Sequence, residues 1–195
     1  AFAASAAAAQ QSRRQQRPST SLSNALGTLG ILPDSVRSIL LLYSGKGLSR
    51  SRAGEIEADV LKKPDGIDNR LTLIGYYSSN GQTPADRLRL RDHVLWVVEN
   101  HPEHPATAEP SLRDLPDDRE GNGRILALWN ANLLSRGDDL AVLKNAEKFF
   151  FGKDPAEAAR LIHRIAEREP ESRQWPEELA QLYRMFGIPG EYFAD

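Results

Sequence analysis

With 195 residues, 40% of them hydrophobic and 27% charged, the chain can bury one good core or build one elongated array, and is too short for two large domains. A net charge of −2 speaks against a general nucleic-acid binder, and no apolar run approaches the roughly 20 residues that span a bilayer. The absence of cysteine excludes disulfides, thiolate metal sites and a cysteine nucleophile.

The charge is unevenly placed. Residues 1–33 carry Arg13, Arg14 and Arg17 and no acid, so an arm of +3 precedes a body of −5. Its first ten residues, AFAASAAAAQ, resemble the small-residue end of an export signal, or else a trimmed fragment; residues 11–24 are polar and low in complexity. The expectation is an extended basic arm, 1–33, that a neighbouring copy, a partner or a polymer orders. A short helix and linker, 34–48, and a helical-repeat domain, 49–195, follow.

Asp34 after Pro33 starts a short apolar helix over VRSILLLY, which Gly45 and Gly47 end. SRSRAGEIEADVLKK reads as a second helix, stopped by Pro64, and NRLTLIGYYSS as a third, with Leu71, Ile74, Tyr77 and Ser78 on one side. Thr83-Pro84 caps a fourth that runs to His101, whose stripe is Leu88, Arg91, Leu95 and Val98. Pro102, Pro105, Pro110 and Pro116 then forbid a continuous helix up to Asp118. Helices resume at 119–135, 139–151, 155–169 and 173–186, and no segment alternates like a strand.

An internal period runs through these helices. In KNAEKFFFGKDPAEAARLIHRIAEREP, Asn145-Ala146 and Phe149 supply the small and aromatic positions of a first helix, Ala158 the small position of a second, and Pro170 the end. Thirty-four residues on, Leu179-Ala180 and Tyr183 fill the same first-helix positions. Upstream, Gly75 with Tyr76 and Tyr77 looks like another first helix, and 119–135 like a second helix whose partner the Pro-rich connection replaces. The helix at 52–63 reads as a lone second helix ahead of the first unit. Over residues 50–187 the chain resembles the tetratricopeptide-repeat family.

That resemblance implies an all-α fold, a right-handed superhelix of antiparallel helix pairs, in which Gly75, Tyr77, Ala146, Phe149, Ala158, Pro170, Ala180 and Tyr183 are packing residues. It also implies a concave groove lined by first helices. Its candidates are Arg70, Tyr76, Lys144, Lys148, Gln181 and Arg184, facing an extended peptide or another protein.

No chemistry competes strongly. His101-Pro-Glu103-His104 lacks the one-face spacing of helical metal ligands, Gly45-Lys46-Gly47 lacks the rest of a phosphate loop, and Asp114, Asp117, Asp118 and Glu120 read as solvated or Arg-binding acids. The expected protein is a non-catalytic scaffold without metal or cofactor, secreted or in the cell envelope, with a cytoplasmic site left open. Its expected partners are copies of itself, joined through Arg13, Arg14, Arg17 and the array ends into an assembly or filament. Two alternatives stand beside it: a polysaccharide-binding protein stacking sugars on Tyr76, Trp96, Trp129, Trp175 and Tyr192, and a peptide-holding adaptor.

Overall fold

The computed structural model describes residues 32–187, so the arm arginines Arg13, Arg14 and Arg17 and the tail with Tyr192 lie outside the described residues. Residues 34–187 belong to one compact unit, and every regular element in it is helical. In chain order these are α1 (Asp34–Lys46), α2 (Arg50–Lys62), α3 (Ile67–Asn80), α4 (Pro84–Asn100), a 3-10 turn (Pro105–Ala108), α5 (Pro110–Arg113), α6 (Arg119–Arg136), α7 (Leu140–Phe150), α8 (Pro155–Arg168) and α9 (Gln174–Phe186).

The boundaries follow local chemistry. Ser49, Asp118, Asp139 and Asp154 each accept a backbone N–H of the first turn of the helix they precede. Thr83 and Asp86 cap each other's backbone in a reciprocal box, and Pro84 and Pro155 occupy first-turn positions where a missing N–H costs nothing. Gly187, at φ 60°, closes α9 in the left-handed region that glycine enters without strain.

α3 and α4 fold back on one another. Arg70 of α3 meets His93 of α4, while Tyr77, further along α3, meets Arg89, earlier in α4. α1 and α3 run in the same direction. Arg37 pairs with Asp68, the α1 backbone at Leu42 lies against Gly75, and Asn80 donates to the Lys46 carbonyl at 3.0 Å, all between α1 and α3. Arg50–Asp86 and Glu57–His93 join α2 to α4 in the same sense, each across 36 positions. Asn132 of α6 donates to the Val98 carbonyl of α4 across 34 positions, and Lys148 of α7 pairs with Glu178 of α9 across 30.

α3 is the most enclosed helix, buried continuously from Arg70 to Tyr77, because α1, α2 and α4 all pack on it. The one-sided stripe expected there is therefore a fully buried segment. α1 and α3 cross backbone to backbone: a Cβ on Gly75 would overlap the Leu42 carbonyl, and one on Gly45 the Thr72 carbonyl. Gly45 thus serves this crossing. α1, which precedes α2 in the chain, packs on α3.

In α4 the expected stripe is also shifted. Leu88 is 52% exposed, and the buried face is Leu90, Val94, Val97 and Val98 with His93 and Leu95. The expected loop between α4 and α6 is part of the core: Ala106, Thr107, Leu112 and Leu115 are buried. The 3-10 turn contacts both α1 and α7, and Asn145 of α7 donates to the Pro102 and His104 carbonyls at 2.9 and 3.1 Å. A short irregular segment is built into the core, because four prolines break the backbone ladder but leave small and apolar side chains to fill the space.

Candidate functional site

Three regions could carry function: a buried polar network, the expected groove residues on α7 and α9, and the outer face of α1.

The network lies between α2, α3 and α4. Tyr77 Oη donates to Glu57 Oε1 at 2.8 Å, and His93 Nε2 stands 3.1 Å from the same oxygen. Arg70 has only donors, so His93 Nδ1, 3.4 Å from Arg70 NH1, is the acceptor and Nε2–H faces Glu57. Arg70 also donates through Nε and NH2 to the Pro64 carbonyl at 3.2 and 2.9 Å, and its guanidinium lies 3.9 Å over the Trp96 ring. Burial alone would raise the Glu57 carboxyl, but hydrogen bonds from His93 and Tyr77, with the charge of Arg89, hold it below the ordinary range. Burial, together with its bond to Glu57, pushes Tyr77 up to about 12. A carboxylate held ionised and a phenol held neutral are both far from the near-neutral poise that proton transfer needs. His93 is 4% exposed. This arrangement suits a cross-brace.

The groove candidates divide. Arg70 and Tyr76 are buried, which corrects their expected place on an open surface. Lys144 donates to Glu169 Oε1 at 2.7 Å and lies 5.4 Å from the Trp175 ring centre, while Trp175 Nε1 donates to Glu169 Oε2 at 2.8 Å. Lys148 joins Glu178 to Glu147. Gln181 and Arg184 are exposed and border an open depression on α9 with Gln174 and Glu177. Among the packing candidates, Gly75, Tyr77, Ala146, Phe149 and Ala158 are interior and Tyr183 is half-buried, whereas Pro170 and Ala180 are exposed.

α1 shows two apolar faces. Ser38, Leu41, Leu42 and Gly45 are buried, and the other side exposes Val36, Ile39, Leu40 and Tyr43 at 43%, 53%, 42% and 72%. Ile39 and Tyr43 also edge a cleft of about 400 Å³ shared with Ser78 of α3 and Pro110 of α5. The sequence did hold this signal, because four apolar residues in a row, Ile39 to Leu42, cannot share one face of a helix. Glu57 and His93 were invisible to motif reading: they lie 36 positions apart and meet only in the folded chain, between α2 and α4.

The acids of the connection hold cations. Asp118 takes Arg91 in a two-toothed pair at 2.6 Å, Glu120 takes Arg91 at 3.0 Å and Asp114 takes Lys153 at 3.1 Å. His104 Nδ1 accepts the Ala106 N–H at 3.3 Å, and burial holds this imidazole below its ordinary value. Glu103 pairs with Arg136. Among the described residues no group of three or more metal-ligating side chains comes together, and no helix is long and apolar enough to cross a membrane. Comparison with protein families, with curated proteins and with solved structures gives no match to this chain.

Proposed function

We propose that the chain is a non-catalytic scaffold of tetratricopeptide-like architecture, a solenoid of helix pairs that associates with copies of itself through its ends. One observation carries this reading: bonds between helices recur at separations of 30 to 36 residues from Arg37 to Glu178, while both end helices expose apolar side chains. A repeat that buries its face only on its neighbour generates such a ladder. On α9 the uncovered residues are Ala180, Met185 and Phe186. Open ends of this kind favour association.

Sugar stacking has less support. Tyr76, Trp129 and Trp175 are buried, and Arg70 covers a face of Trp96. The decisive experiment is sedimentation velocity of the full chain over a hundredfold concentration range, beside a form lacking residues 1–33. The expected result is a species heavier than the monomer that grows with concentration. A single monomeric species throughout overturns the reading.

A further inference from the structure

We infer that Glu147, Lys148 and Glu178 form a pH-sensitive latch on the carboxyl-terminal helix: α9 is held against α7 while the Glu147 carboxyl keeps its proton, and is let go when it ionises. The latch lies within one chain and does not depend on the self-association proposed above.

Glu147 and Lys148 are neighbours on α7, yet their side chains meet different surroundings. The Glu147 side chain has no exposed surface and neither of its oxygens has a hydrogen-bond partner among the described residues, whereas Lys148 is partly exposed. Lys148 Nζ stands 3.1 Å from Glu147 and is also paired with the mostly buried Glu178 of α9. One ammonium is thus shared by two carboxyls from two helices. Arg113 of α5 is the other cation acting there, and its NH1 is engaged with the Lys148 carbonyl at 2.8 Å. α6 and α8 also pack on α7, and their buried positions hold no titratable group. His104, at the head of the 3-10 turn that contacts α7, is influenced by Asp34, His101, Glu103 and Asp68.

A neutral Glu147 leaves Lys148 to Glu178, and α9 keeps its ion pair. An ionised Glu147, out of reach of solvent and without a hydrogen-bond donor, has Lys148 as its nearest counter-charge. A lysine drawn to Glu147 leaves Glu178 beside a second carboxylate with no cation of its own. Which helix yields follows from how each is held. α7 packs on α6, α8 and the 3-10 turn, and Asn145 ties it to the Pro-rich connection. α9 packs on α8 and reaches α7 through side chains: the Lys148–Glu178 pair, the Phe151–Phe186 ring contact and Lys144 near Trp175. α9 is therefore the element that moves, and once Glu178 has left, Lys148 compensates Glu147 alone. Burial pushes the Glu147 carboxyl up to about 7, opposed by Lys148 and Arg113 and aided by Glu178. The docked state holds the proton more tightly than the undocked one, so docking is strongest in acid and weakens as pH rises through about 7.

The test is amide hydrogen exchange of the full chain at about pH 5.5 and about pH 8.5, each rate divided by that of an unstructured peptide at the same pH. Protection in α9 should fall about tenfold or more at the higher pH, while that of α3 and α4 holds. Glu147→Gln keeps the side-chain volume and cannot ionise, so its α9 should stay protected at both values. Glu178→Gln takes away the α9 partner of Lys148, so its α9 should be weakly protected at both. In each variant the protection of α3 reports that the body is folded. Wild-type α9 protection that is equal at the two values overturns the latch, as does a pH dependence that persists in Glu147→Gln. A loss spread evenly from α1 to α9 also overturns it, because the proton then stabilises the whole body and not one helix. Should Glu147→Gln fail to fold, Glu178→Gln decides: an α9 still gated by pH in that variant overturns the latch.

Discussion

Glu147 has no exposed surface, and neither of its carboxylate oxygens has a hydrogen-bond partner among the described residues. Lys148 Nζ stands 3.1 Å from one of them without hydrogen-bond geometry and is shared with Glu178, while Arg113 of α5 donates to the next carbonyl, that of Lys148. Burial, aided by Glu178 and opposed by Lys148 and Arg113, pushes the Glu147 carboxyl up to about 7 from an ordinary 4.5. The folded state therefore holds the proton more tightly than the unfolded one. Its favourable contribution is complete below about 4.5 and is lost as pH rises through about 7. Urea unfolding across this window should show stability falling by up to about 3 kcal/mol, and Glu147→Gln should flatten the curve. An unchanged slope in the variant would remove Glu147 as its source. Asp118 is the opposite case. The Arg91 guanidinium and the Gly121 N–H outweigh burial and hold its carboxyl below the ordinary range. Asp118→Ala removes both a helix cap and a partly buried ion pair and should cost about 2–4 kcal/mol, whereas Asp118→Asn keeps the cap and should lose less. Equal losses would mean that the cap contributes nothing.

Two helical glycines with opposite surroundings give a test on the scale of elements. A methyl on Gly75 meets the α1 backbone, which has no flexible end to move aside, while a methyl on Gly54 of α2 meets nothing within 4 Å. Gly75→Ala should separate α1 from α3 and cost several kcal/mol, on the order of a large core substitution. Gly54→Ala should stabilise by about 0.5–1 kcal/mol through helix propensity alone. Denaturant midpoints of the two variants decide it, and a neutral Gly75→Ala would mean that the crossing is loose.

The contrast also bears on how much the sequence disclosed. Helix positions were legible because caps and breakers are local: Ser49, Thr83-Pro84, Asp118, Asp154-Pro155 and Gly187 each act within one turn. Burial was less legible. A hydrophobic stripe assumes one dry side, and α3 has none that is wet between Arg70 and Tyr77. The Pro-rich connection looked like a solvated loop because its helix-breaking residues are conspicuous, whereas its anchoring depends on α7, whose Asn145 reaches Pro102 across 43 positions. Of the candidate groove residues, Gln181 and Arg184 are exposed, and the burial of Arg70 was not legible because its stacking partner Trp96 lies in the next helix.

For the whole molecule, the proposed array of helix pairs predicts that stability is lost in steps. Removing residues 170–195 takes away α9, the Trp175–Glu169 bond and the Lys148–Glu178 pair, and uncovers one side of α7 and α8. The shortened chain should keep residues 34–150 folded, with amide exchange there slowed as before and faster exchange confined to α8. Exchange that quickens uniformly from α1 to α8 would show a single cooperative core in place of a chain of units.

The side-chain bonds described here join positions no more than 43 apart, the longest running from Asn145 to Pro102. Closing such short loops costs little chain entropy and no distant segment has to be found first, so condensation should be fast for a protein of this size. It also gives synthesis a direction. When α3 leaves the ribosome, α1 already has the helix it crosses, and when α4 follows, Glu57 has its histidine. The α1–α3 crossing and the Glu57 network can therefore settle while the carboxyl-terminal helices are still being made, and the 3-10 turn closes onto α1 only after α4 has followed.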